Sequence, residues 1–228
     1  MRCPTRLPRF RNSPRAGSSL LSELSFGTLV NYSPRGSGVA STTSQRFCGG
    51  VKAGRLEVIR LAIEPMRAEA AAILRPCLNS EVTLVPIPRS SPLSPGALWP
   101  ARVLADLLVE EGFGGEVLPC LRRTSAVPKS AASSSSSGRP LVQAHYASLE
   151  VEHQIIEPAQ ITLVDDVVTL GRTALACAQR LREAFPSSEI RLFAMMRTLG
   201  LIPEIEKVVD PCVGTITGYP SGKTHREP

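Results

Sequence analysis

In the run "ITLVDDVVTLGRT" (161–173), two adjacent carboxylates, Asp165 and Asp166, follow a mostly apolar run. A turn containing Thr169, Gly171 and Thr173 comes two residues later. Neighbouring anions repel, so a core strand gains nothing by ending this way; a cation or a hydroxyl-rich ligand supplies a reason. If the turn opens a helix, its free N–H groups and the positive end of the helix dipole suit a phosphate. Gly171 permits close backbone approach, and Thr169 and Thr173 add hydroxyl donors. Acceptors followed at strand spacing by donors complement a ribose 5-phosphate, with cis hydroxyls for the acids and a phosphate for the turn. Paired acids at a strand end also suit a helix cap with a solvated neighbour; the turn that follows favours the ligand.

These residues need elements to hold them. "QITLV" and "EIRLFAMM" are near-continuous apolar runs separated by the amphipathic "TALACAQRLREAF". "VTLVPIP" (82–88) and "GEVLPCL" read as further strands, and "SFGTLVNYSPRG" as a short strand ending in a turn. "ALWPARVLADLLVEEG" has helical period, with Gly112 as its stop. Residues 58–75 also read as helix, started or kinked by Pro65, whereas 36–50 reads as a polar loop. Buried strands alternating with helices predict an α/β fold with a central, mostly parallel sheet flanked by helices. Asp165 and Asp166 then fall at the carboxyl end of a parallel strand, where open α/β sheets bind ligands.

The 228 residues suit a single domain, and 43% are hydrophobic. No apolar run reaches the roughly 20 residues of a membrane span. Five arginines and no acid lie in residues 1–19, leaving only +1 of the net +6 to the remainder. The basicity therefore belongs to an N-terminal tail (1–20) expected to be disordered, and nucleic acid is not the expected partner. Six scattered cysteines without a CxxC pair suggest thiols in a reducing cytoplasm. The expected organisation is one domain over 21–217 followed by a disordered tail, 218–228. Trp99 reads as a packing residue beside a helix start and His145 as a surface residue.

The central motif resembles the phosphoribosyl pyrophosphate (PRPP) binding motif of type I phosphoribosyltransferases: apolar residues, two acids, two apolar residues, then a Thr/Ser-Gly-x-Thr turn. "VTLVPIPRSSP", with its "VPxP" pattern before a large helix, is similar to the ComF-like branch. The resemblance spans roughly 80–200 and departs at Leu170, where relatives carry Thr or Ala. It implies a type I phosphoribosyltransferase-like fold with a small variable hood, here from 21–80 and 200–217. It also implies that Asp165 and Asp166 hold the ribose hydroxyls, with metal contact through water or PRPP. Thr169, Leu170, Gly171, Arg172 and Thr173 would cradle the 5-phosphate, with Asp165, Asp166 and Thr169 catalytic. Arg89 and Ser90 match a pyrophosphate loop, and Lys129 and Arg139 lie in a polar segment (124–141) matching a mobile lid. The implied cofactor is Mg2+ and the implied partner is PRPP, with a homodimer as the one protein assembly considered. The implied reaction transfers phosphoribosyl to a nitrogen nucleophile; the alternative is a non-catalytic PRPP-sensing regulator linked to competence.

Two other motifs fail on mechanism. "GYPSGKT" (218–224) is one residue short of a P-loop, and the four residues after it hold no helix. "LVDDV" resembles a receiver-domain acid pair, but three predicted strands precede it rather than none.

Overall fold

The computed structural model describes residues 21–128, 140–152, 154, 157–200 and 204–228. The expected N-terminal tail lies outside them. Five parallel strands form the main sheet in the order β3 (Glu116–Val117), β2 (Thr83–Pro86), β6 (Gln160–Val168), β7 (Glu189–Thr198), β1 (Glu23–Tyr32). Two antiparallel strands, β8 (Val209–Gly218) and β9 (Thr224–Glu227), extend it beyond β1. A separate ribbon pairs β4 (Leu121–Arg123) with β5 (Leu149–Val151). The sheet is thus mixed, mostly parallel and flanked by helices, as the alternation of apolar runs predicts.

Strand alternation sends β6 side chains to two cores. Ile161 and Leu163 meet Leu175, Leu181 and Phe185 on or beside α7 (Arg172–Ala184). Val164 joins Leu104, Leu107 and Leu108 of α5 (Pro100–Glu110) on the other face. Leu163 and Leu104 are both fully buried, and truncating such a leucine to alanine costs about 2–5 kcal/mol.

Three expectations are corrected. Residues 36–50 are not a loop, since α1 spans Val39–Lys52. Its buried stripe, Ser41, Ser44, Cys48 and Val51, has helical spacing but is too small and polar to show as hydrophobic period. The 58–75 helix is broken into α2 (Leu56–Ile59), a 3-10 turn (Arg60–Ala62), α3 (Ile63–Arg67) and α4 (Ala71–Leu74). Pro65 sits in the first turn of α3, where its missing N–H has no helical partner to lose. Finally, 218–228 is not a disordered tail: β9 pairs with β8 from Thr215↔Glu227 to Gly218↔Thr224. Of the stretches assigned to a hood, 21–80 and 200–217, β1 and β8 are strands of the main sheet.

Candidate active site

The sheet has a switch point between β2 and β6. These strands pair in parallel from Thr83↔Ile161 to Pro86↔Val164. From β2 the chain passes through α5 and moves outward to β3; from β6 it passes through α7 and moves the opposite way to β7. The two helices cover opposite faces, so a crevice opens at the carboxyl ends of β2 and β6. Both candidate loops leave the sheet there. Ile87 N–H donates to Val164 O at 2.9 Å, keeping the loops side by side, and Trp99 Nε1 donates to Ile87 O at 2.7 Å. Trp99 therefore packs at the end of β2, as expected.

The acid pair lies inside β6, which continues to Val168. Asp165 Oδ1 accepts from Asp166 N–H, and Asp166 Oδ1 from Val167 N–H, both at 2.9 Å. Alternation directs the two residues to opposite sides of the strand, while their carboxyls stay close enough to hydrogen-bond each other. Asp165 follows Leu163 toward α7, and burial there raises its carboxyl well above the usual range. The charge of Asp166 and a hydrogen bond between the two carboxyls raise it further, while Lys52 opposes the shift. Asp166 turns toward α1, where Lys52 Nζ lies 3.9 Å from its carboxylate. Tyr32 and Cys48 share this side; burial first, then Cys48 and Asp166, push the Tyr32 hydroxyl up to about 12. Burial likewise raises the Cys48 thiol. Sequence reasoning missed Lys52, Tyr32 and Cys48, because only the packing of α1 and the place of β1 beside β7 bring them to the acid pair.

The turn after β6 has the expected form. Thr169 and Leu170 are half-exposed, and Gly171, at φ 73°, caps α7 with its carbonyl accepting from Leu175 N–H at 2.9 Å. The first-turn N–H groups of a helix have no carbonyl of their own helix to meet. A pocket of about 100 Å³ is lined by Asp165 and residues 167–174, room for a phosphate-sized group. Gly171 has a further reason to be glycine. A Cβ there would lie 2.4 Å from Ile216 Cδ1, so Gly171→Val would disrupt folding whatever the turn binds.

Other candidates are placed less directly. Arg172 lines the pocket and is buried, and its Nη1 donates to Pro140 O at 3.3 Å. Arg89 is exposed and donates to Leu98 O at 2.9 Å; Ser90 O accepts from Val127 N–H at 2.8 Å. Both leave the adjacent strand, but neither lines the pocket. Lys129 and Arg139 lie outside the described residues.

His145 is not a surface residue. It sits in α6 (Val142–Ala147) at 3% exposure, and Thr173 Oγ1 lies 3.5 Å from both ring nitrogens. Burial first, then Arg123 and Arg172, lower its pKa to about 4. The ring is thus neutral near pH 7. Arg123, another residue missed, is also 3% exposed; it donates to Arg89 O at 3.0 Å and Ser148 Oγ at 2.5 Å. Its position in β4 carried no sign of this role.

No protein-family model and no curated protein matches this chain. Among solved structures, one similar chain is a hypoxanthine phosphoribosyltransferase from Staphylococcus aureus. It shares 9% identity at a TM-score of 0.33, covering 72% of this chain and 70% of that one.

Proposed function

We propose that this chain binds PRPP and transfers its phosphoribosyl group to a nitrogen nucleophile, as a type I phosphoribosyltransferase related to the ComF-like branch. The observation that carries the reading is the convergence, at the switch point, of a partly buried acid with a glycine-capped helix start in one pocket. Asp165 and Asp166 accept hydrogen bonds from the ribose hydroxyls, and 169–173 cradle the 5-phosphate through backbone N–H groups and the threonine hydroxyls. Arg89 and Ser90, together with Lys129 and Arg139, belong to the pyrophosphate side. Two contacts support that side: Val127 N–H donates to Ser90 O, and Arg172 donates to Pro140 O. As the bond from ribose C1 to pyrophosphate breaks, a bond to nitrogen forms on the opposite face.

Among the described residues, no group of three or more His, Cys, Asp or Glu side chains is arranged to hold a metal. Asp165 and Asp166 would meet Mg2+ through water or through PRPP, so the ion belongs to the reading as one carried by PRPP. Such an ion neutralises the leaving pyrophosphate. Among the described residues, no helix is long and apolar enough to cross a membrane, and a small-molecule substrate in the cytoplasm fits the reading. A homodimer remains part of the proposal.

The test is pyrophosphate release from PRPP and Mg2+ with purine, pyrimidine and amine acceptors in turn. Acceptor-dependent release that disappears in Asp165→Asn supports the reading. Its absence with every acceptor, in protein that binds PRPP, rejects transfer.

A further inference from the structure

The motif "GYPSGKT", which fails as a P-loop, forms the turn between β8 and β9. Tyr219 N–H donates to Lys223 O at 2.9 Å, and Gly222 N–H to Tyr219 O at 2.8 Å. We propose that this C-terminal hairpin positions the phosphate turn, with Arg226 and Thr224 as its positioning residues. The inference rests on the proposed binding of a 5-phosphate by 169–173.

The geometry is specific. Arg226 Nη1 donates to Val168 O at 3.0 Å and Nη2 to Thr198 O at 2.6 Å, so one guanidinium bridges the carboxyl ends of β6 and β7. Thr224 Oγ1 donates to Leu170 O at 2.5 Å. Residues 224 and 226 are alternate positions of one strand and share a face. Ile216 of β8 meanwhile fills the space against Gly171. The hairpin is itself anchored, since Val142 N–H donates to Gly222 O at 3.1 Å. A Cβ on Gly222 would lie 1.8 Å from Gln143 Oε1.

The consequence follows from peptide geometry. In a trans peptide the C=O and N–H point in opposite directions. Drawing the carbonyls of Val168 and Leu170 toward β9 turns the N–H groups of Thr169 and Gly171 away from it. A phosphate is held by N–H groups and repelled by carbonyl oxygens. The clamp therefore stops these peptides from flipping and presenting carbonyls to the anion. Neither donor touches the ligand; both act through the turn.

The test is titration of the full chain with ribose 5-phosphate and with inorganic phosphate, followed by calorimetry and by the amide signals of Thr169 and Gly171. Arg226→Ala should weaken ribose 5-phosphate binding by about tenfold or more at temperatures well below its Tm, and shrink the ligand-induced shifts of both amides. Arg226→Lys should restore part of the affinity, because one ammonium can reach one of the two carbonyls. Should Arg226→Ala not fold, Thr224→Val carries the same test, with an expected loss of about three- to tenfold. A merely structural role would lower Tm and leave affinity and amide shifts unchanged, which overturns the inference while leaving the proposed function standing. If the parent protein binds neither probe, the inference and the proposed function fall together.

Discussion

The two carboxylates of β6 are neighbours in sequence and both partly exposed, but they differ in the groups they face. Asp165 faces the α7 side, where its near neighbours include Cys177, whose thiol burial holds near 12. Asp166 faces α1, where Lys52 is half-exposed and water reaches the pair. One side raises a carboxyl through lost hydration, and the other balances a charge in solvent. Strand alternation thus gives one acid pair two different electrostatic settings. Stability should answer mostly to the buried side and hardly at all to the solvated one.

The largest effect expected is on the buried side, at His145. Its pKa falls from the ordinary 6.5 to about 4 on folding, so the unfolded chain binds more protons between these values. The stability it contributes is present above about pH 6.5 and lost as pH falls toward about 4, roughly 3 kcal/mol in all. Urea melts at about pH 7.5 and about pH 4.5 should show this loss, and His145→Gln should remove most of it. An equal acid loss in the variant would place the titration elsewhere.

Asp165 carries the opposite sign. A raised folded pKa means that its contribution is present below the ordinary value and lost as pH rises through the folded one. Asp165→Asn should therefore raise Tm near pH 7 by a few degrees, with no gain near pH 3. A lower Tm at neutral pH would contradict the buried setting.

Lys52→Met, on the solvated side, should change stability by only about 0.2–1 kcal/mol, and less at high salt. A loss above about 2 kcal/mol would mean that Asp166 depends on its partner as a buried charge does, and the contrast between the two sides would fail.

Much of this arrangement was legible in the sequence because apolar period reports burial directly. The strands β2, β6 and β7 and the helices α5 and α7 lie where "VTLVPIP", "QITLV", "EIRLFAMM", "ALWPARVLADLLVEEG" and "TALACAQRLREAF" predict them. The turn and its positive-φ Gly171 were legible too, because a strand-to-helix turn favours that residue type. The α1 helix was not, since it buries serines and a cysteine in place of leucines. Strand β9, "THRE", has no apolar pattern; pairing with β8 and the bonds of Thr224 and Arg226 hold it. His145 reads as a surface residue in the sequence because the burial of a lone polar residue depends on long-range packing, here against Thr173 and two arginines. Lys52 was invisible for the same reason, 114 positions away from Asp166 by their numbering.

The central claim is that the acid pair and the following turn form one ligand site. Calorimetric titration of PRPP with Mg2+ into the parent chain, Asp165→Asn, Asp166→Asn and the double variant tests it most directly. Binding by the parent should weaken by about 10–100-fold in each single variant, the cost of about 1.5–3 kcal/mol for losing a hydrogen bond to a charged group. On the proposed reading both acids serve one ribose, so the double variant should lose less than the product of the two single losses. No binding by the parent, or unchanged affinity in all three variants, would contradict the account.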